Sequence, residues 1–228
     1  MKFTNYINPI LKVCFRTWKT FFVMIYMALG IVRWQPWMEV SEGICWNYYL
    51  SWQSWCVTLL PVFLVIINGY IKYFLNPSII IKLKCKDRKK IIFSGVICIS
   101  LVLTTIYILL AIGSGIIFRF QEDRIGLIAY GIYFFITFLL FVLNGLIYCI
   151  GRCMGILNNI ISIIILLIPA FEYACYFYGG ISILQTRLYY DTTGGNLWSN
   201  GIFIFVILAM LFMVLGRKIN KIELLGEI

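Results

Sequence analysis

The residue types that do most enzymatic chemistry are scarce or badly spaced in this chain. There is no His at all, which removes the commonest general base and the commonest metal ligand. Eight cysteines are present: Cys14, Cys45, Cys56, Cys85, Cys98, Cys149, Cys153 and Cys175. No two show Cys-x-x-Cys spacing. Cys149 and Cys153, one helical turn apart, could share a face, but two thiols without His or carboxylate partners make a poor zinc site. The thiols read as buried structural residues. Cys45 and Cys56 fall near one non-cytoplasmic segment, and a disulfide between them stays open because closeness in sequence does not fix geometry. There is no G-x-x-x-x-G-K-[ST] phosphate loop, no H-E-x-x-H and no G-x-S-x-G. Each of those motifs is a mechanism as well as a pattern. No pair of intramembrane acids resembles a protease dyad. The chain is therefore not expected to be an enzyme or to bind a metal or cofactor itself.

One acid stands out. Glu172 lies inside an apolar run, where a carboxylate facing lipid costs a few kcal/mol. It is expected to face a cavity or partner, or to sit near the external end of its span. Pro169 close by is expected to break the helix and free backbone carbonyls. The run Phe171-Glu172-Tyr173-Ala174-Cys175-Tyr176-Phe177-Tyr178-Gly179-Gly180 suggests an aromatic-lined external mouth, serving substrate contact or proton coupling. An interfacial aromatic belt with a solvated carboxylate is the plainer alternative. Asn68 and Asn144 are the other polar groups deep in apolar segments; such residues more often bridge helices than bind a ligand. Gly113-Ser114-Gly115 suggests close helix contact or a kink.

The elements that must position these residues follow from composition. Of 228 residues, 62% are apolar, 18% aromatic and only 12% charged, with mean hydropathy +0.95. A soluble domain carries about 25% charged residues, so this chain cannot hide its apolar surface in a water-soluble core. The class is all-α and polytopic, one transmembrane domain over residues 1–228. A span needs about 20 mostly apolar residues, and six segments qualify: 18–36, 54–75, 91–118, 125–150, 156–178 and 200–216. Phe21–Val32 is not followed by a small-x-small cleavage site and reads as a retained first span.

Charge orients the spans. On one side fall Lys2, Lys12, Arg16, Lys19, Lys72, Lys82, Lys84, Lys86, Arg88, Lys89, Lys90, Arg152, Arg217, Lys218 and Lys221, most of the 19 basic residues. On the other, Arg33, Arg119, Arg124 and Arg187 are offset by Glu39, Glu42, Glu122, Asp123 and Asp191. Basic loops stay in the cytoplasm, so both termini are expected there. The net charge of +10 is then mainly a topology signal, and no nucleic-acid partner is expected.

Two further segments carry more than topology. Phe3, Ile7, Ile10, Leu11, Cys14, Phe15 and Trp18 follow helical spacing, with Lys2, Lys12, Arg16 and Lys19 off that stripe. This is the pattern of an interfacial helix over residues 1–17, lying on the lipid bilayer. In the loop 76–90, Asn76-Pro77 marks a turn and Ser78 a helix cap. Ile79, Ile80, Ile81 and Leu83 then precede Lys84, Lys86, Asp87 and Arg88. A loop that only returned the chain would not need four large aliphatics. They suit a short helix docking into a cytoplasmic partner; a basic patch on anionic lipid is the alternative.

The arrangement resembles the membrane subunit of a bacterial ABC transporter of the type-2 exporter class, which includes small permeases of antibiotic, bacteriocin and lantibiotic export or immunity systems. The features carrying the resemblance are the amphipathic start Phe3–Trp18, six spans with both ends inside, and the basic loop Asn76–Lys90 running into a long third span. The proline-bearing fifth span, followed by the external segment 179–199, also fits. The resemblance implies an elbow helix at 1–17 and an ATPase-coupling segment containing Ile79, Ile80, Lys82, Leu83, Lys84, Lys86, Asp87 and Arg88. It implies a substrate path that includes Asn68, Asn144, Glu172, Tyr173 and Tyr176. Its partners would be separate ABC ATPase subunits, which use the ATP and Mg, and a second permease protomer in a homo- or heterodimer. The location would be the bacterial plasma membrane. A vitamin-capture subunit of an energy-coupling-factor importer has a similar size and span count. Such subunits dock through Ala-rich patches on the first span, whereas Phe21-Phe22-Val23-Met24-Ile25-Tyr26-Met27-Ala28 is bulky almost throughout. A non-transport immunity or accessory membrane protein is the remaining alternative.

Overall fold

A computed structural model of the chain describes residues 21–23, 25–26, 55–74, 85–117, 127–180 and 197–225. Apart from the turn at 154–157 and Gly180, these residues are helical, and no strand occurs among them. A π-turn, Trp55–Leu59, leads into α1 (Leu60–Phe74). Then follow α2 (Cys85–Ile117), α3 (Leu127–Cys153), α4 (Asn158–Gly179) and α5 (Leu197–Leu225).

Among the described residues, five helices are long and apolar enough to cross a membrane: Trp55–Lys72, Lys89–Leu110, Phe134–Cys153, Asn158–Tyr176 and Ile202–Ile219. They match the second to sixth expected spans. The expected first span, 18–36, lies largely outside the described residues, although 21–23 and 25–26 are helical. The interfacial segment 1–17 and most of the external segment 179–199 also lie outside them.

Three local expectations are corrected. First, α2 begins at Cys85 rather than near residue 91. Lys and Arg are good helix formers, so the basic run continues the helix instead of ending a loop. Likewise α5 runs on through Arg217 and Lys218 to Leu225, since Arg and Lys prolong a helix at little cost. Second, Pro169 does not break α4, which is continuous from Asn158 to Gly179. Proline is tolerated inside membrane helices when neighbours satisfy the freed carbonyl, and Pro169 is buried against them. Third, Gly113 makes no close contact among the described residues: a Cβ there would meet nothing within 4 Å. The helix continues past it to Ile117.

The α3–α4 connection is four residues long and tightly closed. Gly155 takes φ +80°, the left-handed region that suits glycine. Its N–H donates to Arg152 O at 3.0 Å, and the Ile156 N–H donates to Gly151 O at 3.1 Å. This pair is a Schellman cap. The Arg152 guanidinium adds a bond from Nη1 to Ile156 O at 3.0 Å.

The core is built around α3, which packs against α1, α2, α4 and α5. Close approach needs small residues. At Gly145 a Cβ would meet Val96 of α2 at 2.8 Å and Phe63 of α1 at 3.1 Å, so three helices converge there. At Gly151 it would meet Ile161 of α4 at 3.0 Å. Phe141 stacks on Phe63 with ring centroids 4.9 Å apart and lies 5.0 Å from the Trp55 ring. Tyr70, on α1, donates its hydroxyl to Ile91 O on α2 at 2.8 Å. Phe93 of α2 meets Phe212 of α5, centroids 4.8 Å apart.

These contacts set helix directions. The end of α1 meets the start of α2, the start of α2 meets the late part of α5, and the end of α3 meets the start of α4. Lys72, Lys89, Lys90, Arg152, Arg217 and Lys218 therefore gather at one end of the bundle. Coverage is uneven: 56–61% of the first three apolar windows is buried, against 22% for those of α4 and α5. In water that difference would penalise α4 and α5, but lipid tails solvate apolar side chains as well as protein does.

Candidate functional site

The two ends of the bundle differ in chemistry. Glu172 sits seven residues before Gly179, roughly 10 Å along the axis from the α4 C-terminus, and at the end opposite the basic residues. Only 3% of its surface is exposed. The π-turn Trp55–Leu59 packs against α4, and Glu172 lies within electrostatic reach of the Cys56 thiol. Trp55 and Thr58 of the same turn are buried. Tyr26 donates its hydroxyl to Val57 O at 3.1 Å, tying the segment near residue 25 to the turn. A π-turn widens the helix and adds a residue to it, and such turns recur at functional sites.

Neighbouring residues on α4 divide by face. Phe171 and Tyr178, seven apart, are largely exposed, and Tyr173 and Tyr176 are half-buried. Phe171 and Tyr178 lie on the outward face of the helix, while Glu172 is buried in the bundle. Gly180, at φ +64°, ends the helix by donating its N–H to Tyr176 O at 3.0 Å.

Asn68 and Asn144 do not join this cluster. Asn68 is twelve residues beyond Cys56 on the same helical run, about 18 Å away. Asn144 is fully buried, and its Nδ2 donates to Leu140 O of its own helix at 2.8 Å. The Asn68 amide oxygen is buried with no hydrogen-bond partner among the described residues. The expected path residues therefore occupy two levels: Glu172, Tyr173 and Tyr176 near one end, Asn68 and Asn144 deeper.

Of the expected coupling residues, Lys86, Asp87 and Arg88 form the first turn of α2. Ile79, Ile80, Lys82, Leu83 and Lys84 lie outside the described residues. Cys56, Cys98, Cys149, Cys153 and Cys175 are free thiols, and Cys45, the other half of the bridge left open by the sequence, lies outside the described residues. No metal-binding group of three or more donors occurs among the described residues.

Sequence reasoning passed over the buried hydroxyls. Ser100, Thr104 and Thr137 are almost fully buried. Thr104 donates to Ser100 O at 2.7 Å, one turn back in α2, a bond that lets a hydroxyl sit in an apolar interface. The i, i+4 spacing of Ser100 and Thr104 was the available signal. The π-turn had none, because its sequence, WCVTL, is as apolar as an ordinary helix start.

No family model, characterised relative or solved structure matches this chain.

Proposed function

We propose that this chain is the membrane-embedded permease subunit of an ATP-driven transporter, of the ABC exporter type that its layout resembles. The observation supporting this reading best is the continuity of α2. Lys86, Asp87 and Arg88 are in one unbroken helix with the apolar window Lys89–Leu110. That helix has 33 residues, about 50 Å of rigid rod at 1.5 Å per residue. A force on the loop 79–90 would move all of α2, which packs against α1, α3 and α5.

In this reading the basic end faces the cytoplasm, as the positive-inside rule directs, and both termini lie there after six spans. Separate ATPase subunits seat on the loop 79–90. Their closure on ATP tilts α2 and opens the bundle toward the other side, in partnership with a second permease protomer. Glu172, Tyr173 and Tyr176 contact cargo at the far end. The cargo is an amphipathic peptide such as a bacteriocin, or another hydrophobic compound; export or self-immunity is the outcome. The membrane is the bacterial plasma membrane.

Purification in mild detergent, with mass spectrometry of whatever accompanies the chain, tests this directly. The expected result is a stoichiometric ABC ATPase. Recovery of the chain alone, from cells that express the neighbouring genes, would overturn the transporter reading in favour of an independent accessory protein. A second test addresses Glu172. Glu172→Gln keeps the side-chain shape and removes the charge, so the fold persists. Cargo export by the assembled complex is expected to fall at least tenfold while its ATPase activity remains. Wild-type export would return Glu172 to a structural role.

A further inference from the structure

Four buried polar atoms on three neighbouring helices make no hydrogen bond: Asn68 Oδ1 of α1, Tyr148 Oη and Arg152 Nε of α3, and Asn158 Oδ1 of α4. The helical turn puts them on one flank. A Cβ at Gly151 of α3 would meet Ile161 of α4, so the two helices touch there. Tyr148 and Arg152 stand three before and one after Gly151; Asn158 and Ser162 stand three before and one after Ile161. On an antiparallel helix pair, equal steps from a contact fall on the same side of it. Tyr148 and Ser162 accordingly approach each other across the seam, short of hydrogen-bond geometry. A Cβ at Gly145 of α3 would also meet Ile67 of α1 at 3.5 Å. Those two helices run parallel, so one step past Ile67 and three past Gly145 bring Asn68 and Tyr148 to a shared flank. The helix α1 packs against both α3 and α4, which closes the wedge.

Leaving such atoms dry is costly, because an orphaned buried group loses its hydration and gains no bond in return. Spreading the wedge costs less. Only 22% of the α4 apolar window is buried, and lipid tails solvate its other faces in either position. Asn68, Arg152, Asn158 and Ser162 are half-buried rather than sealed. One apolar window ends at Cys153 and the next begins at Asn158, so Arg152 and Asn158 form a polar mouth at the basic end. Tyr148, fully buried, lies inside it. The mixture of groups selects what enters. An anion would answer the guanidinium and the hydroxyl and leave two amide oxygens unmet. A cation would answer the oxygens and be repelled by Arg152. Water both donates and accepts, and a buried water holds about three such bonds.

We infer that the wedge between α1, α3 and α4 is a hydrated vestibule: water enters at the basic end past Arg152 and Asn158 and bonds to Tyr148 and Asn68 within the bundle. The vestibule lies at the end opposite Glu172 and does not depend on the transporter reading.

Hydroxyl-radical labelling by X-ray radiolysis of the detergent-purified full chain, read by peptide mass spectrometry, tests it, because radicals formed in bound water modify the side chains that touch it. Tyr148 is expected to be modified at least tenfold faster than Tyr70. Both rings are at most 1% exposed, but the Tyr70 hydroxyl is already bonded to Ile91 O. Equal rates would overturn the vestibule. Asn68→Leu removes an acceptor inside the wedge and should slow Tyr148 modification at least threefold; an unchanged rate would remove Asn68 from the wedge and overturn its geometry. Tyr148→Phe gives a readout independent of labelling. Where water meets the hydroxyl, its loss lowers the melting temperature in detergent, which is the expected result. Where the hydroxyl is dry and unpaired, its removal raises the melting temperature, and that outcome would overturn the inference.

Discussion

Gly95→Ala is expected to destabilise the bundle by about 2–4 kcal/mol, combining overpacking with the loss of a buried hydrogen bond. A Cβ at Gly95 would overlap the ring of Tyr70. That ring is 1% exposed and is pinned at its far end by the 2.8 Å bond to Ile91 O. It lies in the α1–α2 interface at the level where α2 leaves the basic end. To make room the ring must leave and give up its bond, or α1 and α2 must separate. Thermal unfolding in detergent, followed by helical circular dichroism, measures the loss. Tyr70→Leu in the Gly95→Ala background should recover part of it, because the smaller side chain clears the new methyl group. A double-mutant cycle then gives a coupling of opposite sign to the single losses. An unchanged melting curve for Gly95→Ala would mean that α1 and α2 are not packed as described.

Reversing charge at Lys82, Lys84 and Lys86 is the second large effect. Transport by the assembled complex is expected to fall at least tenfold, with ATP hydrolysis continuing and membrane insertion intact. The reversal should not harm the helix. Lys86 stands in the first turn of α2, where an acid is favoured over a base by the helix dipole. Nor should it invert the chain in the membrane, since Arg88, Lys89 and Lys90 remain and acids count little in orienting spans. What it alters is the surface offered to a cytoplasmic partner, where truncating or opposing a contact charge costs several kcal/mol. Reconstituted vesicles containing the permease and its ATPase would separate transport from hydrolysis. Unchanged transport would remove the coupling assignment while leaving the helical architecture as it stands.

Much of the architecture could be read from residue pattern because lipid leaves so few solutions. Every backbone polar group must be satisfied within its own segment, so a run of about 20 apolar residues is read as a helix with little ambiguity. Spans two to six were placed on that ground, and each has its helix. Their boundaries were less legible. The third span was placed at 91–118, and its helix begins earlier, at Cys85. The helix does not end where the apolar window does, since lysines prolong it into water at little cost. Pro169 misled for a related reason. In a soluble helix it would end the element, but inside a membrane bundle the neighbours hold the helix together around it.

The candidate site was only half legible. Glu172 stood out by chemistry alone, as a carboxylate where carboxylates are costly. Its partner turn did not. Nothing in Trp55–Leu59 marks a π-turn, and Cys56 comes beside Glu172 only because α1 and α4 pack together, more than a hundred residues apart in the chain. Arg152 and Lys218 were each visible as orienting charges. That their helices pack on one another was not.

By itself, then, the sequence determined the class of solvent, the helical content, the segments that carry it and the sign of charge at each turn. Those properties depend on the composition of short stretches and on the free energy of moving them from water to hydrocarbon. Only the tertiary structure decided that α3 is the hub, that Gly95 and Gly145 are contact points and Gly113 is not, and that Glu172 turns inward beside Cys56. Those outcomes depend on which helix faces meet, and helix pairing in a bilayer is driven by close packing rather than by hydrophobicity. Packing depends on shape at particular residues, which apolar periodicity does not encode.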